Sequence, residues 1–101
     1  MIIYNVTLNV EDDISDDWLS WMKKEHIPEV LETGHFSHHY IAKITSRQPD
    51  ETGVTFAIQY HCKSQEDFNN YQNNHAQKLQ EKHNNKYGGK FLAFRTILEK
   101  V

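Results

Sequence analysis

From Ile2 to Val10 the chain alternates strictly, with Ile2, Tyr4, Val6, Leu8 and Val10 on one side and Ile3, Asn5, Thr7 and Asn9 on the other. A period of two sends successive side chains to opposite faces of a strand, so this segment reads as a strand with one strongly apolar face. The alternation returns from Val54 to Cys62, with Val54, Phe56, Ile58, Tyr60 and Cys62 on one side and Thr55, Ala57, Gln59 and His61 on the other. An apolar strand face must be covered, which limits the chain to a small set of layered folds.

Two segments can form the covering layer. Glu11 to Glu32 reads as a helix, with Asp12, Asp13, Asp16 and Asp17 at its start, where the helix dipole favours negative charge. Ser15 or Asp12 is expected to cap it, and Ile14, Trp18, Trp21 and Met22 form an apolar stripe. Pro28 has no N–H and disfavours a helical Ile27, so we expect a kink or break at His26-Ile27, with Pro28 restarting a short turn. The second helix opens at Ser64, with Asp67 at the third helical position, and carries Phe68, Tyr71, Gln72, His75, Ala76 and Leu79 on one stripe. Phe36 to Thr45 and Phe91 to Val101 read as further strands. The turn Ser46–Gly53 precedes the third strand, and Tyr87-Gly88-Gly89 precedes the last. The order β-α-β-β-α-β predicts one α+β, ferredoxin-like domain over residues 1–101, a four-stranded antiparallel sheet with two helices on one face.

Composition narrows the function. The 101 residues carry a net charge of −3, split as −5 over residues 1–50 and +2 over residues 51–101. That balance speaks against a nucleic-acid partner held by bulk positive charge. Lys78, Lys82, Lys86 and Lys90 recur every fourth residue and read as a solvated helix face. No apolar run approaches a membrane span, and the alternating start is unlike a signal peptide, so no membrane is expected and cytoplasm is the default. The single cysteine, Cys62, falls on an apolar strand face and reads as a buried, inert thiol. His35, His38 and His39 are dense, but neighbours on a strand point to opposite faces and no metal-site spacing accompanies them, so no metal is expected.

The helices leave the second sheet face uncovered. Its residues are Ile3, Asn5, Thr7, Asn9, Thr55, Ala57, Gln59 and His61. On the last strand we place Phe91, Ala93, Arg95 and Ile97 there, while Leu92, Phe94, Thr96 and Leu98 compete for the helix side. Such a face is left to water or packed against a second copy. Asn5, His61 and Arg95 would converge on it, with Asn donating and accepting, Arg clamping a carboxylate and His moving a proton.

Five blocks carry a resemblance: Ile3-Tyr4-Asn5-Val6-Thr7, Trp18-x-x-Trp21-Met22, Glu25-His26-Ile27-Pro28-Glu29-Val30, Tyr60-x-Cys62-Lys63-Ser64 and Tyr87-Gly88-Gly89-Lys90-Phe91-x-Ala93-Phe94-Arg95-Thr96. Together they resemble a family of short bacterial proteins of unknown function, over essentially the whole chain. More distantly the pattern is similar to the dimeric α/β-barrel superfamily, which includes cofactor-independent antibiotic-biosynthesis monooxygenases and haem-degrading enzymes. The resemblance implies a homodimer whose sheets close a barrel. Asn5 matches the first-strand Asn of the haem-degrading members, but Tyr71 stands where they have Trp, and neither His75 nor His83 has their offset from it. No haem or other cofactor is therefore expected.

The functional expectation is a cytoplasmic homodimer that binds a small organic ligand between sheet and helices. Asn5, His61 and Arg95 would orient the ligand, and Trp21 and His26 would line the pocket mouth. The alternative is a cofactor-independent monooxygenase or isomerase, with His26 or His61 as the catalytic base and Asn5 or Arg95 holding an oxyanion. A third expectation is a structural or regulatory dimer without ligand. An enclosed cavity of a few hundred cubic ångströms would favour the first two.

Overall fold

The computed structural model describes residues 1–101. Strands β1 (Ile2–Val10), β2 (His38–Lys43), β3 (Val54–Cys62) and β4 (Phe91–Glu99) form one antiparallel sheet in the order β2-β3-β1-β4. Helices α1 (Ser15–Trp21) and α2 (Ile27–Glu32) follow β1, and α3 (Gln65–Tyr71) and α4 (Gln77–Tyr87) follow β3. The chain is thus the expected βαββαβ unit.

The alternation fixes the layers. Ile2, Tyr4, Val6, Leu8 and Val10 are all buried, and so are Phe56, Ile58, Tyr60 and Cys62, whereas the intervening residues of both strands are half-buried. In register, Tyr4 faces Tyr60 and Val6 faces Ile58, so the apolar faces add up to one core beneath the helices. Tyr4 packs against Phe68 at 5.1 Å, and Phe36 meets Tyr71 edge-on at 4.8 Å between ring centroids. Each such aromatic contact adds about 0.5–1.5 kcal/mol beyond area burial.

The first helical segment differs from expectation. It does not break before Pro28. Instead Met22–His26 widens into one π turn, in which the Ile27 N–H reaches Met22 O, and α2 continues with Pro28 in its first turn. The wider turn admits a residue that lacks the N–H for the regular ladder. The expected caps are also absent. Asp12–Ile14 is a 3₁₀ turn, Ile14 holds the N-cap position without a side-chain bond, and the Ser15 hydroxyl donates to Asp12 O. At the second helix Ser64 does cap, accepting the Asp67 N–H at 3.1 Å.

A second π turn, Gln72–Ala76, separates α3 from α4. It spaces the buried residues Tyr71 and Ala76 five apart, so the stripe runs Phe68, Tyr71, Ala76, Leu79, His83, Tyr87, and Gln72 turns outward. Strand β2 is shorter than expected, because Phe36 turns into the core and pairing starts at His38.

The face assignment of β4 is reversed. Val6 pairs with Arg95, Leu8 with Ala93 and Val10 with Phe91, so Phe91, Ala93, Arg95 and Ile97 lie on the helix side. Leu92, Phe94, Thr96 and Leu98 lie on the open face beside Asn9, Thr7, Asn5 and Ile3. Both faces of this strand are apolar, so its own pattern does not set which one turns inward. The pairing with β1 sets it.

Candidate functional site

Two buried histidines meet between the sheet and the helices. His26 lies at the end of the first π turn and His83 in α4, with ring centroids 5.3 Å apart. Trp21 flanks both, at 5.3 Å from His26 and 5.6 Å from His83. The fully buried Trp18 donates its indole N–H to His83 Nε2 at 2.9 Å. An indole only donates, so His83 Nε2 is a lone pair and the ring is neutral with its proton on Nδ1. Phe91 stacks on the same ring at 4.1 Å.

Burial holds both rings neutral. It lowers His26 from 6.5 to about 4, against the opposing pull of Glu29. It lowers His83 to about 3, helped by His26 and Arg95. The rings differ in one respect. His26 Nδ1 is buried with no hydrogen-bond partner, which costs about 1–3 kcal/mol unless another group answers it.

A cavity of about 30 Å³ opens beside these rings; its lining is largely aliphatic and tyrosine, with the hydroxyl-bearing Tyr4, Tyr60 and Tyr71, and its other polar residues are His26, Gln80, His83 and Arg95. It is far smaller than a ligand-sized pocket, so the cavity of a few hundred cubic ångströms that would favour a ligand or an enzyme is not found between sheet and helices. It has room for about two water-sized groups. Arg95 reaches in from β4 and its Nε donates to the Tyr4 hydroxyl at 3.0 Å. None of the ion pairs of the chain includes Arg95. Lys82, the other cation near His26, is held by Glu29 at 2.7 Å. The unpaired charge on the cavity wall is therefore that of Arg95.

The expected site residues fall into two groups. His26 and Arg95 come together at this cavity, on the helix side. Asn5 and His61 lie on the open face: Asn5 donates to Thr7 Oγ1 at 3.1 Å, and the His61 ring stacks on His38 at 4.2 Å. Asn5, His61 and Arg95 therefore do not converge, and the reversal of β4 is the reason. Trp21 packs against His26 but is not part of the cavity wall, and His26 sits inside rather than at a mouth. Sequence reasoning missed His83, Tyr4, Tyr71 and Gln80. For His83 the signal was available: it lies four residues after Leu79 and four before Tyr87, on the continuation of the buried stripe. Of the remaining histidines, His35 bonds Asp67 at 2.7 Å, and no group of three or more His, Cys, Asp or Glu converges as a metal site. No helix is long and apolar enough to cross a membrane.

Fold and site together define a ferredoxin-like α+β protein with a small, partly open cavity of mixed lining between sheet and helices. The chain belongs to the DUF4286 family, described as a domain of unknown function, whose model matches residues 1–101. Its fold is similar to that of an ethyl tert-butyl ether d (EthD) family protein of Bacillus halodurans, with a TM-score of 0.73 and 15% identity over 100% of both chains. It is also similar to SnoaB, a cofactor-independent oxygenase of Streptomyces nogalater, with a TM-score of 0.64 and 9% identity over 98% of this chain and 91% of that one. A dimeric ferredoxin-like protein from an uncultured marine organism matches with a TM-score of 0.60 and 13% identity, over 100% of this chain and 95% of that one. At such identities the likeness is one of fold. No protein of curated function matches the sequence.

Proposed function

We propose that the protein is a cytoplasmic homodimer that binds a small organic ligand between its sheet and its helices. The observation that carries the binding role is the unpartnered His26 Nδ1 beside a polar cavity. A buried polar atom left open next to a hole is a place for a ligand or water atom to complete. Both helical segments also carry a π turn next to this wall, at Met22–His26 and Gln72–Ala76, and such turns recur at functional sites.

The dimer is supported by the open face. Tyr40, Leu92, Phe94 and Leu98 are exposed there, with Phe94 at 66% and Leu92 at 75%. An apolar patch of this kind on a sheet face marks an interaction surface. One of the structures of similar fold is described as dimeric.

A second reading, a cofactor-independent monooxygenase or isomerase, is favoured by the neutral His26 lying on the same wall as the Arg95 guanidinium, a base beside an oxyanion holder. The lowered pKa of His26 supports binding over this second reading. At about 4, His26 is a far weaker base than free imidazole, so it serves better as a hydrogen-bonding group for a bound molecule than as an acceptor of a carbon-bound proton. Binding is therefore preferred. Asn5 and His61, on the opposite face, are placed to serve a dimer seam rather than this cavity.

Native mass spectrometry of the purified protein tests both parts. A dimer carrying extra mass is the expected result. A bare monomer at micromolar concentration would refute the dimer. If Phe94→Asp leaves the dimer intact, the open face is not its interface.

A further inference from the structure

Resting on the binding role proposed above, we infer that the ligand is a carboxylic acid whose carboxylate alone enters the cavity, paired with Arg95, while its organic body stays outside. Size is the first ground. A cavity of about 30 Å³ admits about two water-sized groups. That is the scale of a carboxylate group and well below that of an aromatic ring.

Charge is the second ground. Arg95 is an exposed residue whose guanidinium is drawn inward by its Nε bond to the buried Tyr4 hydroxyl, and it meets no carboxylate of its own chain. With Nε occupied, both Nη groups keep their donors for a partner. A guanidinium in this state recognises a carboxylate by a charge-assisted, paired hydrogen bond. The surrounding wall does not compete, since His26 and His83 are neutral and the tyrosines keep their protons.

Placement of the body follows from the edge position of β4. On the helix side of that strand Arg95, Ile97 and Glu99 are exposed, and the apolar side chain next to Arg95 along the strand is Ile97. An apolar body directly attached to the carboxylate fits this surface. The free edge of β4 leaves it room.

The test compares an acid with its neutral isostere on the intact protein. Benzoate and phenylacetate are titrated against ¹⁵N-labelled protein, alongside benzamide and phenylacetamide, and the β4 amide and Arg95 Nε–H resonances are followed. The expected result is saturable shifts with the acids, affinity lower by roughly 10- to 100-fold with the amides, and a similar loss for Arg95→Gln. Arg95→Lys, which keeps the charge and loses the fork, should fall between. Thermal melts of the variants verify folding. Equal affinity for acids and amides, or an Arg95→Gln variant that binds acids as the parent does, overturns the carboxylate while leaving a ligand site. If neither acid nor amide shifts any resonance around the cavity, and the protein as purified carries no added mass, both the carboxylate and the binding role fall.

Discussion

Acid should destabilise this protein well before its carboxylates titrate. His26 and His83 ionise near 6.5 in the unfolded chain, but in the fold only at about 4 and about 3. Both folded values are depressed, so the stabilisation is full only well above pH 6.5 and is lost as pH falls through 6.5 toward the folded values. Below 6.5 the unfolded state binds protons that the native state refuses. Each histidine then removes about 1.4 kcal/mol per pH unit, and at pH 5 the two together remove about 4 kcal/mol. Set against a typical domain stability of about 5–15 kcal/mol, that is a large fraction. Urea unfolding at constant ionic strength, run at pH 8, 6.5 and 5, measures it directly. The midpoint should fall slightly between the first two conditions, by about 0.8 kcal/mol of stability because both rings are half-protonated in the unfolded chain at pH 6.5, then drop steeply, with unchanged m-value. His26→Leu should remove about half of the drop, since His83 remains. A midpoint that is flat from pH 8 to 5 would show that both rings accept protons freely in the fold, and would refute the claim that burial keeps them neutral.

Three further outcomes follow from the packing. Trp18→Phe removes the donor to His83 Nε2 and should cost about 1–3 kcal/mol in denaturant unfolding, and a loss below about 0.5 kcal/mol would mean that this bond is not made. Gly53→Ala should destabilise by about 1–3 kcal/mol, because φ is +77° and the new Cβ would lie 2.7 Å from Val10 O. Ser64→Ala should cost about 1 kcal/mol through loss of the Asp67 cap, and Ser64→Gly less, as thermal melts of the three proteins will show.

The sequence made the sheet legible where one strand face is apolar and the other polar. Val54–Cys62 and Ile2–Val10 meet that condition, and their inward residues are those read from the alternation. Strand β4 does not meet it. Leu92, Phe94 and Leu98 on one face balance Phe91, Ala93 and Ile97 on the other, so only the ladder to β1 decides, and Arg95 changes sides with it. The π turns were illegible for another reason. An i→i+5 bond requires no particular residue, and Pro28 signals only that the regular ladder is interrupted, not whether the helix breaks or widens. Of the cavity wall, only His26 and Arg95 were therefore in view. His26 stood out through its neighbours Trp21 and Pro28, while His83 was marked only by its four-residue spacing from Leu79 and Tyr87 among otherwise polar residues.

The π turn at Met22–His26 has a consequence for how the chain tolerates length changes. The wider turn takes up one residue more than a regular turn, so the buried Met22 and Ile27, five apart, still face the core together. Removing one of the exposed Lys23, Lys24 and Glu25 would return this pair to the regular spacing of four with the same face inward, whereas adding a residue would turn Ile27 and Val30 away from the core by about 100°.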